Sequence, residues 1–289
     1  MVDAFISDFS TTQKETNNYD RWTLSDFPPM WSHLDTGFAL GFSESIFQTG
    51  GRSLVITWGD TMIVQGENPR PTIMVYNMPK EFWAVERFYL PPDFKVKQWL
   101  LFCDLFFGEW IPSTDPRIQN YVRYGAPLYF EGDHADGTGN IRLVAQISRW
   151  VYTADGSSYV REIPLKNVFS DLIKRGEFFE IYYHVKVAEA GIVEAWFKSP
   201  SIPLTKILDY RGETRSISPT TDDTDTRTTV IDHYKRVDEP VSKLYLDYVR
   251  WDVYNFFEEA PPTPPIPKSI LAVGLPLIAG FILMQLGRG

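Results

Sequence analysis

The chain has a single cysteine, Cys103. No internal disulfide is therefore available, and the fold must be held by packing. Long amphipathic helical patterns are missing as well, which excludes a helical bundle. Basic clusters are absent: 28 Lys and Arg stand against 37 Asp and Glu, for a net charge of −9. Phosphate recognition needs clustered cations on one surface, so a nucleic-acid partner is excluded. The opening MVDAFISDFSTTQKE has early acidic residues and no apolar core, so it does not read as a secretory signal. No HExxH, no GxSxG, no glycine-rich phosphate loop and no zinc-spaced Cys and His occur, which leaves several reaction classes without a motif.

Aromatic residues are abundant. They form 15% of the chain, in short runs broken by Gly, Pro, Asn and Asp, a composition that favours β-structure. Strands are expected around 36–47, 52–64, 72–77, 82–90, 97–107, 127–131, 140–153, 158–163, 178–187, 192–198 and 244–254. TADGSS at 153–158 and AEAG at 188–191 are hairpin turns. One short helix is expected at LKNVFSDLIKRG, with Phe169, Leu172 and Ile173 on one face and Gly176 as its left-handed cap. The polar, Thr-rich stretch 209–240 is expected to be a long surface excursion. Its Asp222, Asp223 and Asp225, or Asp133, Asp136 and Asn140 in GDHADGTGN, are the oxygen donors a calcium ion would use. Solvated acidic turns are the commoner use of such residues, and no cofactor is expected.

The C-terminal region has a different character. Residues 258–268 hold five prolines, the composition of a stiff, extended stalk. The next 19 residues, 269–287, carry no charge and as a helix would span ~28 Å, close to a hydrocarbon core. They are expected to be a transmembrane anchor, in contact with lipid from Ile270 to Leu286. Ala272, Pro276 and Gly280 give a small-residue stripe through which such helices could self-associate. The domain organisation is then a body at 1–257, a stalk at 258–268 and a single-pass, C-terminally anchored helix at 269–287.

EFFEIYYHVKVAEAGIVEAWF, residues 177–197, alternates apolar and polar residues on both sides of a turn. Phe179, Ile181, Tyr183, Val185, Val193, Ala195 and Phe197 share the core face. Tyr182, His184, Lys186, Glu194 and Trp196 share the other. This hairpin resembles the late hairpin of concanavalin-like jelly rolls, especially polysaccharide lyases of the heparin-lyase and glucuronan-lyase type. GGRSLVITWGD at 50–60 and FWAVERFYLPPDF at 82–94 resemble that family's early strand and its tyrosine-leucine-proline turn, in the same order.

The resemblance implies an all-β jelly-roll sandwich of two antiparallel sheets, with a concave outer surface that holds a sugar chain. On it Arg52, Tyr182, His184, Lys186, Glu194, Trp196 and Arg250 are the expected ligand contacts, Trp and Tyr stacking on sugar rings. A lyase of this type needs a base, His or Tyr, and a group that neutralises the uronate carboxylate. Tyr182, His184 and Arg52 are the candidates. The family pattern, however, has Gln and His on the strand where WLLFCDLFF puts Asp104 and Phe106, and Glu where Leu54 stands. The acidic chain also suits an anionic polysaccharide poorly. These departures point to a non-catalytic, lectin-like structural or attachment protein of a cell or virion membrane, binding glycan or neighbouring subunits. The alternatives are a polysaccharide lyase and a viral capsid protein of two successive jelly rolls dividing near residue 125.

Overall fold

The computed structural model describes residues 4–7, 38–48, 51, 53–58, 72–75, 80–107, 118–217, 228–232, 234–235 and 240–257. The expected stalk and anchor lie outside these residues, as do Arg52, Asp222, Asp223 and Asp225. No helix occurs among the described residues, and none there is long and apolar enough to cross a membrane.

The described residues form fifteen strands: β1 (Ala4–Ser7), β2 (Phe38–Ser43), β3 (Ser53–Trp58), β4 (Thr72–Val75), β5 (Glu81–Leu90), β6 (Trp99–Phe107), β7 (Val122–Gly132), β8 (Ile141–Tyr152), β9 (Tyr159–Phe169), β10 (Glu177–Lys186), β11 (Gly191–Ser199), β12 (Ile202–Gly212), β13 (Thr228–Asp232), β14 (Tyr234–Lys235) and β15 (Ser242–Asp252). One antiparallel sheet runs β12-β11-β10-β5-β15-β3-β2, with β1 also paired to β15; a second runs β14-β6-β7-β8-β9. β13 and β4 form a separate pair.

Alternation decides which side chains go between the two sheets. Phe82, Ala84, Phe88 and Leu90 of β5, and Phe179, Ile181, Tyr183 and Val185 of β10, face Leu105, Leu128, Phe130, Leu143 and Ala145 of the second sheet in one buried core. Aromatic rings form its centre: Phe102 stacks on Phe130 at 4.3 Å and meets Phe88 edge-on at 5.3 Å, while Phe179 stacks on Phe197 at 5.7 Å. Removing one such ring typically costs ~3–5 kcal/mol.

Three expectations are corrected. β3 pairs with β15, and β5 lies between β10 and β15, so early and late strands share one sheet and two successive rolls are excluded. The helix over 165–176 is instead the end of β9 followed by a turn. Phe169 packs on the core, and Leu172 and Ile173 are buried plugs, so their helix-like spacing serves a loop that folds under the sandwich. Gly176 does adopt the left-handed conformation, φ +80°, and donates its N–H to the Leu90 carbonyl. Finally, the polar stretch starting at 209 begins inside β12. A bulge opposite Ala195 and Trp196 places Ile207 and Leu208 both inward, which breaks the alternation that would have revealed the strand.

Glu86 is an exception in the core. It occupies an inward position of β5, opposite Ile181 and Val249, and is fully buried. Neither carboxyl oxygen has a satisfying partner. Burial pushes its pKa well up, and the neighbouring Cys103 thiol opposes that only weakly. The carboxyl is therefore held as the neutral acid.

A folded state that keeps this proton to higher pH than the unfolded chain loses stability as pH rises past the unfolded value of about 4.5. The slope from this group is up to ~1.4 kcal/mol per pH unit. Urea unfolding across pH 5–8 should show that component removed in Glu86→Gln, with the variant at least as stable as the parent at neutral pH. An unchanged slope would show that Glu86 is not the source.

Candidate functional site

The sandwich has two outer faces. On the larger sheet, register pairs Tyr182 with Trp196 and His184 with Glu194, and on the other side Tyr182 with Val85 and His184 with Trp83. Arg250 lies opposite Val85, and Lys186 opposite Glu81. Tyr182, His184, Lys186, Glu194, Trp196 and Arg250 are thus brought onto one face.

That face is closed. After β15 the chain folds back, and Phe257 meets Tyr182 at 5.2 Å and Trp196 at 5.3 Å. Phe256 joins Val85, Tyr182 and Tyr248 in a second buried cluster, with the Arg250 guanidinium 4.1 Å from the centre of the Phe256 ring. Tyr182 is left 7% exposed. Its hydroxyl donates to Glu180 Oε2 at 2.8 Å, and burial, then the Glu180 charge, pushes its pKa up. It therefore cannot act as a base at neutral pH. The expected open groove at Tyr182 is corrected by this cover.

His184 is held just as firmly. Nδ1 lies 2.9 Å from Glu194 Oε2 and Nε2 lies 3.0 Å from Glu81 Oε1, with the ring stacked on Trp83 at 4.6 Å. No ring nitrogen is left for a substrate. Glu194 also accepts from Lys206 at 2.8 Å and Arg211 at 2.6 Å. Burial would raise the pKa of Glu194, but the bonds from Lys206 and His184 outweigh it and hold the carboxylate low. Below them, buried Arg87 donates to Glu180 from Nε and Nη2 at 2.9 and 2.7 Å, and from Nη1 to Asp247 at 3.3 Å. This is ion-pair scaffolding.

The five-stranded sheet presents a different outer face. Tyr129 of β7 donates its hydroxyl to Gln146 Oε1 at 3.0 Å, and Gln146 Nε2 donates to Ser148 Oγ at 2.8 Å. Arg161 of β9 donates to the same Ser148 Oγ at 3.1 and 3.3 Å. Gln146 and Ser148 are buried, whereas Tyr129 is partly open and Arg161 exposed. Lys166, opposite Gln146 in register, reaches Glu131 at 3.1 Å and lies 5.6 Å from the centre of the Tyr129 ring. Burial would lower the pKa of Lys166, but hydrogen bonds to Tyr129 and Glu131 prevail and raise it, so it stays an ammonium.

The Arg161 guanidinium has no carboxylate partner among the described residues. It lies 5.5 Å from the centre of the Trp150 ring, with Arg123 4.5 Å from the same ring. Arg142 and Lys166 pair with Glu131, while Arg123 and Arg161 lie on the Trp150 ring, so four cations share this face of a chain of net charge −9. Gly125 lets the strands pack closely: a Cβ there would come within 3.1 Å of both the Trp150 ring and the Leu105 carbonyl oxygen.

None of these residues stood out in the sequence. Gln146 and Ser148, at alternate positions of the otherwise apolar LVAQIS at 143–148, were the available signal. β6 belongs to this sheet too, with Asp104 and Phe106 in register with Pro127 and Gly125. The strand on which the lyase pattern places Gln and His is therefore a neighbour of Tyr129. Among the described residues no group of metal-ligating side chains is assembled. Asp136 accepts from His134 and Thr138, and Asp133 from Asn140, so these carboxylates tie a turn.

No family model and no curated protein sequence matches the chain. Solved structures do. A variant of alginate lyase Aly36B in complex with alginate tetrasaccharide aligns at a TM-score of 0.50 and 10% identity, over 88% of this chain and 98% of that one. The endo-β-1,4-glucuronan lyase from the fungus Trichoderma reesei aligns at 0.50 and 12% identity, over 88% and 96%. The similarity is one of fold. These neighbours are polysaccharide lyases, a finding that goes against the expectation of a non-catalytic attachment protein.

Arg87 offers a check on the scaffold face. Arg87→Ala takes the guanidinium away from two buried carboxylates, Glu180 and Asp247, and should cost ~3–5 kcal/mol in urea unfolding. Adding Glu180→Gln should recover part of that loss. Full stability in the single variant would mean the cluster is not held as described.

Proposed function

We propose that the chain is a polysaccharide lyase that cleaves uronate-containing glycan by β-elimination on the outer face of the five-stranded sheet. The observation that carries this is the bonded series Tyr129–Gln146–Ser148–Arg161 beside Lys166. It presents a partly open phenol and a guanidinium that has no carboxylate partner among the described residues on one surface.

Elimination needs three things. The carboxylate must be neutralised so that the C5–H becomes acidic, a base must take that proton, and the C4–O bond must break as the C4=C5 double bond forms. Arg161 is suited to the carboxylate, since Ser148 and the Trp150 ring fix its planar head. Lys166 adds a second positive charge. Tyr129 is the proton carrier: its hydroxyl oxygen takes the C5 proton as its own proton passes to the departing O4. Gln146, buried beneath, positions the phenol by accepting its hydrogen bond.

The alginate and glucuronan lyases sharing the fold act on uronate polymers by their names, which is consistent with this substrate class. We also place residues 269–287 in a membrane as a C-terminal tether, because their uncharged length suits a bilayer core.

The full chain, incubated separately with alginate, glucuronan and heparin, should generate the ultraviolet absorbance of unsaturated ends on at least one. Tyr129→Phe should lower that rate by about 10²–10⁴-fold with little change in KM. Arg161→Gln should mainly raise KM. Silence on all three polymers would reject the proposal.

A further inference from the structure

Glu131 follows Tyr129 on the same outer face of β7, one alternation further along the strand. Its side chain is 20% exposed, and both of its oxygens are engaged: Oε1 accepts from Lys166 at 3.1 Å, and Oε2 lies 3.2 Å from Arg142 Nη2. Arg142 stands opposite it on β8, and partly exposed Trp99 opposite it on β6. Directly opposed residues share a face. The row Trp99–Glu131–Arg142 therefore crosses the sheet about 7 Å from the level of Tyr129, at ~3.3 Å per residue. Arg161 lies on the other side of that level, since Tyr129 is in register with Val144 and Arg161 with Trp150.

The order Arg161, Tyr129, Glu131 gives a bound polymer a direction. In a uronate the carboxylate is borne by C5, and the bond that breaks is the neighbouring C4–O. With the carboxylate at Arg161, and the C5–H and O4 at Tyr129, the sugar that departs with O4 extends past Tyr129 toward Glu131.

We propose that Trp99, Glu131 and Arg142 form the subsite of this departing sugar and that Glu131 selects an uncharged one, so that the substrate alternates uronate with a neutral sugar. The inference rests on the assignment of the reacting centre to Tyr129. A second uronate here would set its carboxylate against Glu131, and like charges brought together at a binding surface reject a ligand. Lys166 and Arg142 are already bonded to Glu131, so a second carboxylate gains them only by displacing it. That exchanges one ion pair for another. A neutral sugar meets no such opposition: a hydroxyl or amide N–H can donate to Glu131, and the C–H face of the ring can lie on Trp99.

Hyaluronan and glucuronan separate the two cases. Both present a glucuronate to Tyr129, but its O4 carries a neutral N-acetylhexosamine in hyaluronan and a second glucuronate in glucuronan. On the full chain, kcat/KM should favour hyaluronan about tenfold or more, and Glu131→Gln should cut the hyaluronan-to-glucuronan ratio about tenfold. A ratio taken within one variant is unmoved by any loss of folded protein. The same preference is read as affinity for size-matched oligosaccharides of the two polymers in Tyr129→Phe, with and without Glu131→Gln. Should the parent cleave neither polymer while binding still favours the alternating oligosaccharide and loses that preference in Glu131→Gln, the lyase proposal falls and the selection by Glu131 stands. A parent that favours glucuronan or treats the two alike, a ratio that Glu131→Gln leaves unchanged, or no binding of either oligosaccharide overturns the inference.

Discussion

A guanidinium buried between strands has no water to turn to, so its protein partners must stay where they are. Arg87 is in that position: it is bonded to Glu180 on one neighbouring strand and to Asp247 on the other. Sliding β10 or β15 by one residue against β5 would strand all three charges, at a cost of several kcal/mol. The register of the central sheet is fixed by this, and with it the placing of Phe82, Phe88, Phe179 and Phe197 in the core. Much of the outer side of that sheet is then already committed to ion pairs and to the cover formed by Phe256 and Phe257. Among the described residues the five-stranded sheet shows no such clamp, and its outer side keeps exposed cations.

Net charge is a poor guide to such a surface. At −9 the chain seemed ill suited to an anionic polymer, yet the field a ligand meets is set by nearby groups, since distant exposed charges are screened within about 10 Å at ordinary ionic strength. Around Tyr129 those groups are Arg161, Lys166, Arg123 and Arg142, with Glu131 paired to two of them. Among the described residues, Asp136 and Asp155 serve turns instead.

The fold was legible where alternation ran unbroken. β5, β8, β10 and β11 declared their core faces through apolar residues two apart, and the similarity to lyase motifs matched the architecture. It failed at β12, where a bulge puts Ile207 and Leu208 side by side, and after Phe169, where two loop residues plug the core at helical spacing. The face holding Tyr182, His184 and Trp196 was also legible, but its closure was not. Phe256 and Phe257 arrive from some sixty residues downstream of Trp196, and no local pattern forecasts a contact at that separation. Tyr129, Gln146, Ser148, Arg161 and Lys166 were missed for a related reason. They sit on three strands, and each by itself looks like an ordinary polar position on a sheet surface.

Phe256 and Phe257 close the outer side of the larger sheet, on the side of the sandwich opposite Tyr129. The two outer faces therefore differ in what they offer a solute: one is a sealed aromatic seam, the other a row of exposed polar side chains.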